Sequence, residues 1–261
     1  MDTFANSPLG NLEALDYFLI GLTAAGAAMI SAMSGMGGGL ILAVVVAPIV
    51  GVKALVPLIA VLSLFTNFGR IIFYFRSLDV RIAMLVFWPS LPGSWLGTTL
   101  YAHMNAGTLA VMLGVILVGA VPLKRYLAGK QWVAGPRTLI GMGALFGFAS
   151  GITIGAGLIL IPVLLGAGLI GPALLGTDAI IGIFNTIFRA GMFAWHGLLP
   201  IDLVIAGVLI GICTLPGSWA AAQIIKRTDI RLHTMILEIL IAAGGISFIW
   251  RGLEAWGYFE G

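Results

Sequence analysis

The sequence predicts an all-α membrane protein. It reads as a polytopic helical bundle of two related halves, each a glycine-broken helical hairpin plus three transmembrane helices, the second half inverted relative to the first. Three observations predict this. Apolar residues fill 60% of the 261 positions and charged residues only 9%, with a mean hydropathy of +1.12. A soluble domain carries about 25% charged residues, so this chain has too little charge to solvate its surface. Apolar runs of spanning length are closely spaced, with short interruptions. Three motifs recur in the same order in the two halves.

The runs read as helices over 15–34, 39–50, 54–75, 82–102, 107–123, 137–150, 157–168, 171–195, 201–225 and 232–250. Those at 39–50 and 157–168 hold twelve residues each, or roughly 18 Å of helix. They are too short to span alone and read as half-helices or re-entrant arms. The 37 glycines, a liability in soluble helices, let helix backbones approach closely in a membrane bundle.

Charge placement orients the bundle. Arg76 and Arg81, then Lys124, Arg125, Lys130 and Arg137, then the three basic residues of 226–231, mark cytoplasmic loops by the positive-inside rule. The stretches 103–106 and 196–202 hold no Lys or Arg and lie outside. This order holds only if 137–195 makes an odd number of crossings, which a two-armed hairpin followed by one full helix provides. Both termini are then expected outside, in a multi-pass protein of the cell membrane. Met1 to Tyr17 holds Asp2, Glu13 and Asp16 but no Lys or Arg, so no signal peptide is expected.

The repeat divides the chain at about residue 128, into 1–128 and 129–261. Ser34-Gly35-Met36-Gly37-Gly38-Gly39-Leu40-Ile41-Leu42 is echoed by Ser150-Gly151-Ile152-Thr153-Ile154-Gly155-Ala156-Gly157-Leu158-Ile159-Leu160. Asn67 and Arg70 are echoed by Asn185 and Arg189, and Leu91-Pro92-Gly93-Ser94-Trp95 by Leu215-Pro216-Gly217-Ser218-Trp219. Five segments per half make the repeats inverted, the architecture of secondary transporters with a site near the midplane; four crossings per half would make them parallel.

The candidate site residues follow from this repeat. Gly37, Gly38 and Gly39, and their counterparts Gly155, Ala156 and Gly157, interrupt apolar runs ahead of a short helix. Loose backbone in lipid is tolerated only where protein buries it or a cavity adjoins it. A helix start there offers free amides and a positive dipole end to an anion; close helix packing is the alternative. Arg70 and Arg189 lie inside apolar runs, where an ionisable group is costly. Arginine presents a planar fork suited to carboxylate, sulfonate or phosphate oxygens, unless it snorkels to the headgroups. Asn67 and Asn185 sit one turn before the arginines on the same face, placed to add hydrogen bonds. Asp178 and Glu238 lie deepest among the acidic residues and are candidates for proton coupling, or for pairing with an arginine. Asp79 and Asp202 read as helix N-caps, and Pro92 and Pro216 as kinks.

Several functions are excluded or disfavoured. Cys213 is the single cysteine, so no intrachain disulfide forms. The three histidines show no metal-ligand spacing, and neither His-Glu-x-x-His nor Gly-x-Ser-x-Gly occurs. Gly35-Met36-Gly37 fails the dinucleotide fingerprint because position 40 is Leu. The net charge of +3 sits at segment ends and does not read as nucleic-acid binding. No cofactor, metal or catalytic residue is expected.

The chain resembles the TauE/SafE family of sulfite and organosulfonate exporters over nearly its whole length. The resemblance rests on Ser34 to Gly39 with Pro48 downstream, on Gly147-Phe148-Ala149-Ser150-Gly151, on Gly155-Ala156-Gly157 with Pro162, and on Leu175-Gly176-Thr177-Asp178. It implies two related halves with one glycine-rich motif each, and export of sulfite, sulfoacetate or a related sulfonate. Two positions depart from the pattern: Asp178 stands where Ser is expected, and Ala156 where Gly is usual. The reading is therefore a secondary transporter exporting a small sulfur-containing anion, with proton coupling open. Alternatives are anion uptake, a passive anion channel, an intramembrane enzyme or a structural membrane subunit. The expected partners are a small anionic substrate and the lipid bilayer, with a homodimer left open.

Overall fold

The computed structural model describes residues 21–26, 38–128, 133–224 and 230–257. Among these, nine helices and no strand are present, besides a helical stretch at 21–26. They are α1 (Gly38–Val50), α2 (Val52–Tyr74), α3 (Val80–His103), α4 (Ala106–Ala128), α5 (Pro136–Ile152), α6 (Gly157–Gly166), α7 (Gly171–Trp195), α8 (Ile201–Ile224) and α9 (Ile230–Ala255). A short 3-10 turn, Phe75–Ser77, follows α2. Gly37 and the Glu238 side chain lie outside the described residues.

The long helices bury polar groups and expose apolar ones. On α2, Asn67 and Arg70 are buried while Phe68, Ile72 and Phe73 are exposed. On α7, Asp178, Asn185 and Arg189 are buried while Phe184 and Ile187 are exposed. Water would favour the opposite arrangement, so these outer faces are matched to lipid. Val52–Ser77 and Gly171–Trp195 are long and apolar enough to cross a membrane. At roughly 15 Å, α6 falls well short of the hydrocarbon thickness.

α5 and α6 form a closed hairpin. Thr153 leaves the helix with extended backbone, and Gly155 has φ of +87°, a conformation that favours glycine. The chain then reverses, so that Ala134 N donates to Gly166 O at 2.8 Å across the open end. The pair is not one long helix, because no α-helical geometry passes through a positive φ at this point.

Backbone contact through glycines fixes the packing. α3 lies along α5 in the same direction: a Cβ at Gly143 would sit 2.5 Å from Val86 O, one at Gly147 2.0 Å from Ser90 O, and one at Gly97 2.3 Å from Phe148 O. Residues 21–26 approach α8 in the same way, with Gly217 against Ala25 O. α2 and α7 run in opposite directions, with Asn67 beside Gly182 and Tyr74 beside Gly176. α4 and α9 also run oppositely, with Gly114 beside Gly245 and Gly107 beside Ala255. Two apolar cores result. One gathers α1, α2, α4 and α8 around Leu42, Leu58, Tyr101 and Phe193. The other packs α3, α5 and α6 around Val86, Phe146, Leu160 and Leu164.

Some boundaries differ from the sequence reading. α4 continues through Pro122 to Ala128, which places residues 124 and 125 in its last turns rather than in a loop. α3 runs through Pro89 and Pro92 as one helix, as the sequence reading of 82–102 expects. Asp79 caps α3, its carboxylate accepting from Ile82 N at 3.0 Å. Asp202 does not cap α8. It lies inside the first turn, and the Pro200 carbonyl receives Leu203 N and Val204 N instead.

Candidate functional site

One cavity of about 130 Å³ lies where both halves meet. Gly39 of α1 and Ile154 to Gly157 at the hairpin tip line it, together with Asn67 and Arg70 from α2 and Asp178, Asn185 and Arg189 from α7. The half-helix α6 therefore begins at its wall. Of the residues singled out from sequence, Gly39, Asn67, Arg70, Gly155, Ala156, Gly157, Asp178, Asn185 and Arg189 share this one space. Gly38 opens α1 next to it.

The arginines do not snorkel. Both are 7% exposed, and their surroundings differ. Arg70 Nη1 donates to Asp178 Oδ2 at 2.6 Å, and its Nη2 donates to Asn67 Oδ1. Asp178 is thus an arginine partner, the second of its two sequence readings. Arg189 Nη1 donates to the Ser150 carbonyl at 2.5 Å, in the last turn of α5. Among the described residues no carboxylate comes within ion-pair distance of Arg189, and its buried Nε has no hydrogen-bond partner. The spacing that aligns Asn67 with Asn185 puts Ala60 opposite Asp178, so the repeat supplies no second acid.

The Gly176-Thr177-Asp178 run has a structural explanation at each position. Gly176 admits the Tyr74 carbonyl, 2.8 Å from where its Cβ would be. Thr177 Oγ1 accepts from Asp79 N at 2.9 Å. Asp178 reaches back to Arg70. Three consecutive residues thereby tie α7 to the last turns of α2 and to the cap of α3. One turn on, Gly182 leaves room for the Asn67 amide.

Asn185 is committed to protein partners. Its Nδ2 donates to Ser94 Oγ at 2.7 Å and to Ser90 Oγ at 3.2 Å, and its Oδ1 accepts from Ser150 Oγ at 2.8 Å. The expectation that this amide hydrogen-bonds a ligand is therefore revised: both its protons are already used, and it pins α3 and the hairpin arm to α7. Sequence reading missed Ser90 and Ser94 in this role. Their spacing of four on one helix face was the available signal. Interhelical hydrogen bonds in membranes contribute about 0.6 kcal/mol each, up to about 1.7. Asn185→Ala is accordingly expected to cost about 2 kcal/mol; an unchanged Tm in detergent would refute the pinning role.

A bundle with apolar outer faces and a buried, charged cavity between its halves is a helical membrane protein built around a polar site. Over residues 19–248 the chain matches the family described as sulfite exporter TauE/SafE. It belongs to that family, and the sequence resemblance is borne out across nearly the whole chain. No curated protein and no solved structure matches it.

Proposed function

We propose that this protein is a secondary transporter that exports a small sulfur-containing oxyanion, such as sulfite or an organosulfonate, across the cytoplasmic membrane. The observation that carries the reading is Arg189: a buried guanidinium on the cavity wall with no carboxylate partner among the described residues. Such a charge is costly in a low-dielectric interior unless an anion complements it. The space, about 130 Å³, is well above the roughly 10–15 Å³ that a single water needs, and so admits a small oxyanion. The start of α6 adds a positive dipole end, and the family supplies the sulfur.

We further infer that the halves are inverted repeats. Equivalent helices meet antiparallel, α2 with α7 and α4 with α9. A two-fold axis exchanging antiparallel neighbours lies perpendicular to them, and so in the membrane plane. Alternating access then moves one set of helices against the other around the arginines.

Liposomes holding the purified protein test the reading. Export predicts movement of labelled sulfite or sulfonate, with counterflow accelerated by anion on the opposite side. No flux with or without a proton gradient refutes transport, and flux without counterflow identifies a channel.

A further inference from the structure

We propose that Asp178 sets the charge of the cargo, making the site selective for an oxyanion with a single negative charge. This rests on the anion-transport reading above. The charged side chains lining the cavity, among the described residues, are Arg70, Arg189 and Asp178. Two positive charges against one negative leave a single positive charge to be matched by the ligand. The balance is built in: the Asp178 carboxylate holds Arg70 at 2.6 Å with both groups buried, so Arg70 contributes hydrogen-bonding capacity and little net field. Ala60 stands opposite Asp178 in the repeat, so the repeat gives Arg189 no equivalent acid, and it keeps its charge.

A monoanion such as a sulfonate or hydrogensulfite neutralises this site. A dianion of the same size, such as sulfate, leaves one excess negative charge in a desolvated space, and that is costly. It also meets twice the repulsion from the Asp178 carboxylate. For an anion about 6 Å from that carboxylate at an effective dielectric near 20, the carboxylate alone disfavours the second negative charge by about a hundredfold in Kd, and this offsets the added attraction of Arg70.

The test compares methanesulfonate with sulfate, both tetrahedral at sulfur and similar in size, by Kd on the purified full-length chain in detergent. The native protein is expected to bind methanesulfonate at least tenfold more tightly. Asp178→Asn removes the negative charge and is expected to shift the ratio about a hundredfold toward sulfate. The double variant Arg70→Gln/Asp178→Asn restores a single positive charge and is expected to return the ratio toward the native one. Sulfate binding as tight as methanesulfonate in the native protein overturns the proposal, whether or not any variant folds. A ratio unmoved by Asp178→Asn also overturns it, while leaving anion transport standing. Binding of neither anion by the native protein counts against the transport reading itself and takes this inference with it.

Discussion

Arg189→Ala is expected to weaken anion binding at least a hundredfold and to stop transport. A full charge about 4 Å from a bound anion at an effective dielectric near 20 is worth about 4 kcal/mol, or about a thousandfold in Kd. Arg70 recovers part of this, because it remains on the wall, but Asp178 already balances its charge. Arg189→Lys keeps the charge and loses the planar fork, so it is expected to fall between the two. The competing reading gives Arg189 a purely structural role: it hydrogen-bonds the Ser150 carbonyl, and arginines often complement the carbonyl end of a helix. Under that reading Arg189→Ala lowers Tm while leaving the affinity of the folded fraction unchanged. Measuring Tm and Kd on the same preparation separates the two.

Gly147→Ala is expected to cost about 3 kcal/mol and to lower Tm by roughly 6–12 °C. The added Cβ would meet the Ser90 carbonyl oxygen at 2.0 Å and its carbon at 2.7 Å. Backbone on a packed helix has no rotamer with which to retreat, so α3 and α5 must separate. That separation pulls Ser90 and Ser94 away from Asn185, and the site should suffer beyond its stability loss. Gly191→Ala is the control: it is helical and exposed, and a Cβ added there would have nothing within 4 Å. It is expected to change stability by less than about 1 kcal/mol. Equal losses at both positions would show that glycine content, not close approach, governs this protein.

Much of the fold was readable along the chain because lipid enforces local rules. A backbone in hydrocarbon must satisfy its own hydrogen bonds, so helices follow from apolar runs. Deviations from that rule stand out, and Gly155 is one. Arg70 and Arg189 stood out for the same reason, as charges inside apolar runs. The ends of α4 were less readable, since Pro122 and the basic residues after it look like a loop in sequence yet complete the helix. Asp202 was misread because a helix start depends on which carbonyl the first amides reach, and here that carbonyl belongs to Pro200.

The sequence by itself determined the membrane class, the helix break at Gly155 and the residue types placed beside it, because each leaves a local signature in composition or period. Tertiary structure alone decided how those residues are employed. Arg70 and Asp178 lie 108 positions apart, and no spacing rule joins them across two helices. The same holds for Asn185, whose amide looked free for a ligand until Ser90, Ser94 and Ser150 closed on it. The unequal arginines, one balanced and one without a carboxylate among the described residues, are a property of which side chains packing brings within about 4 Å, and only the folded chain specifies that.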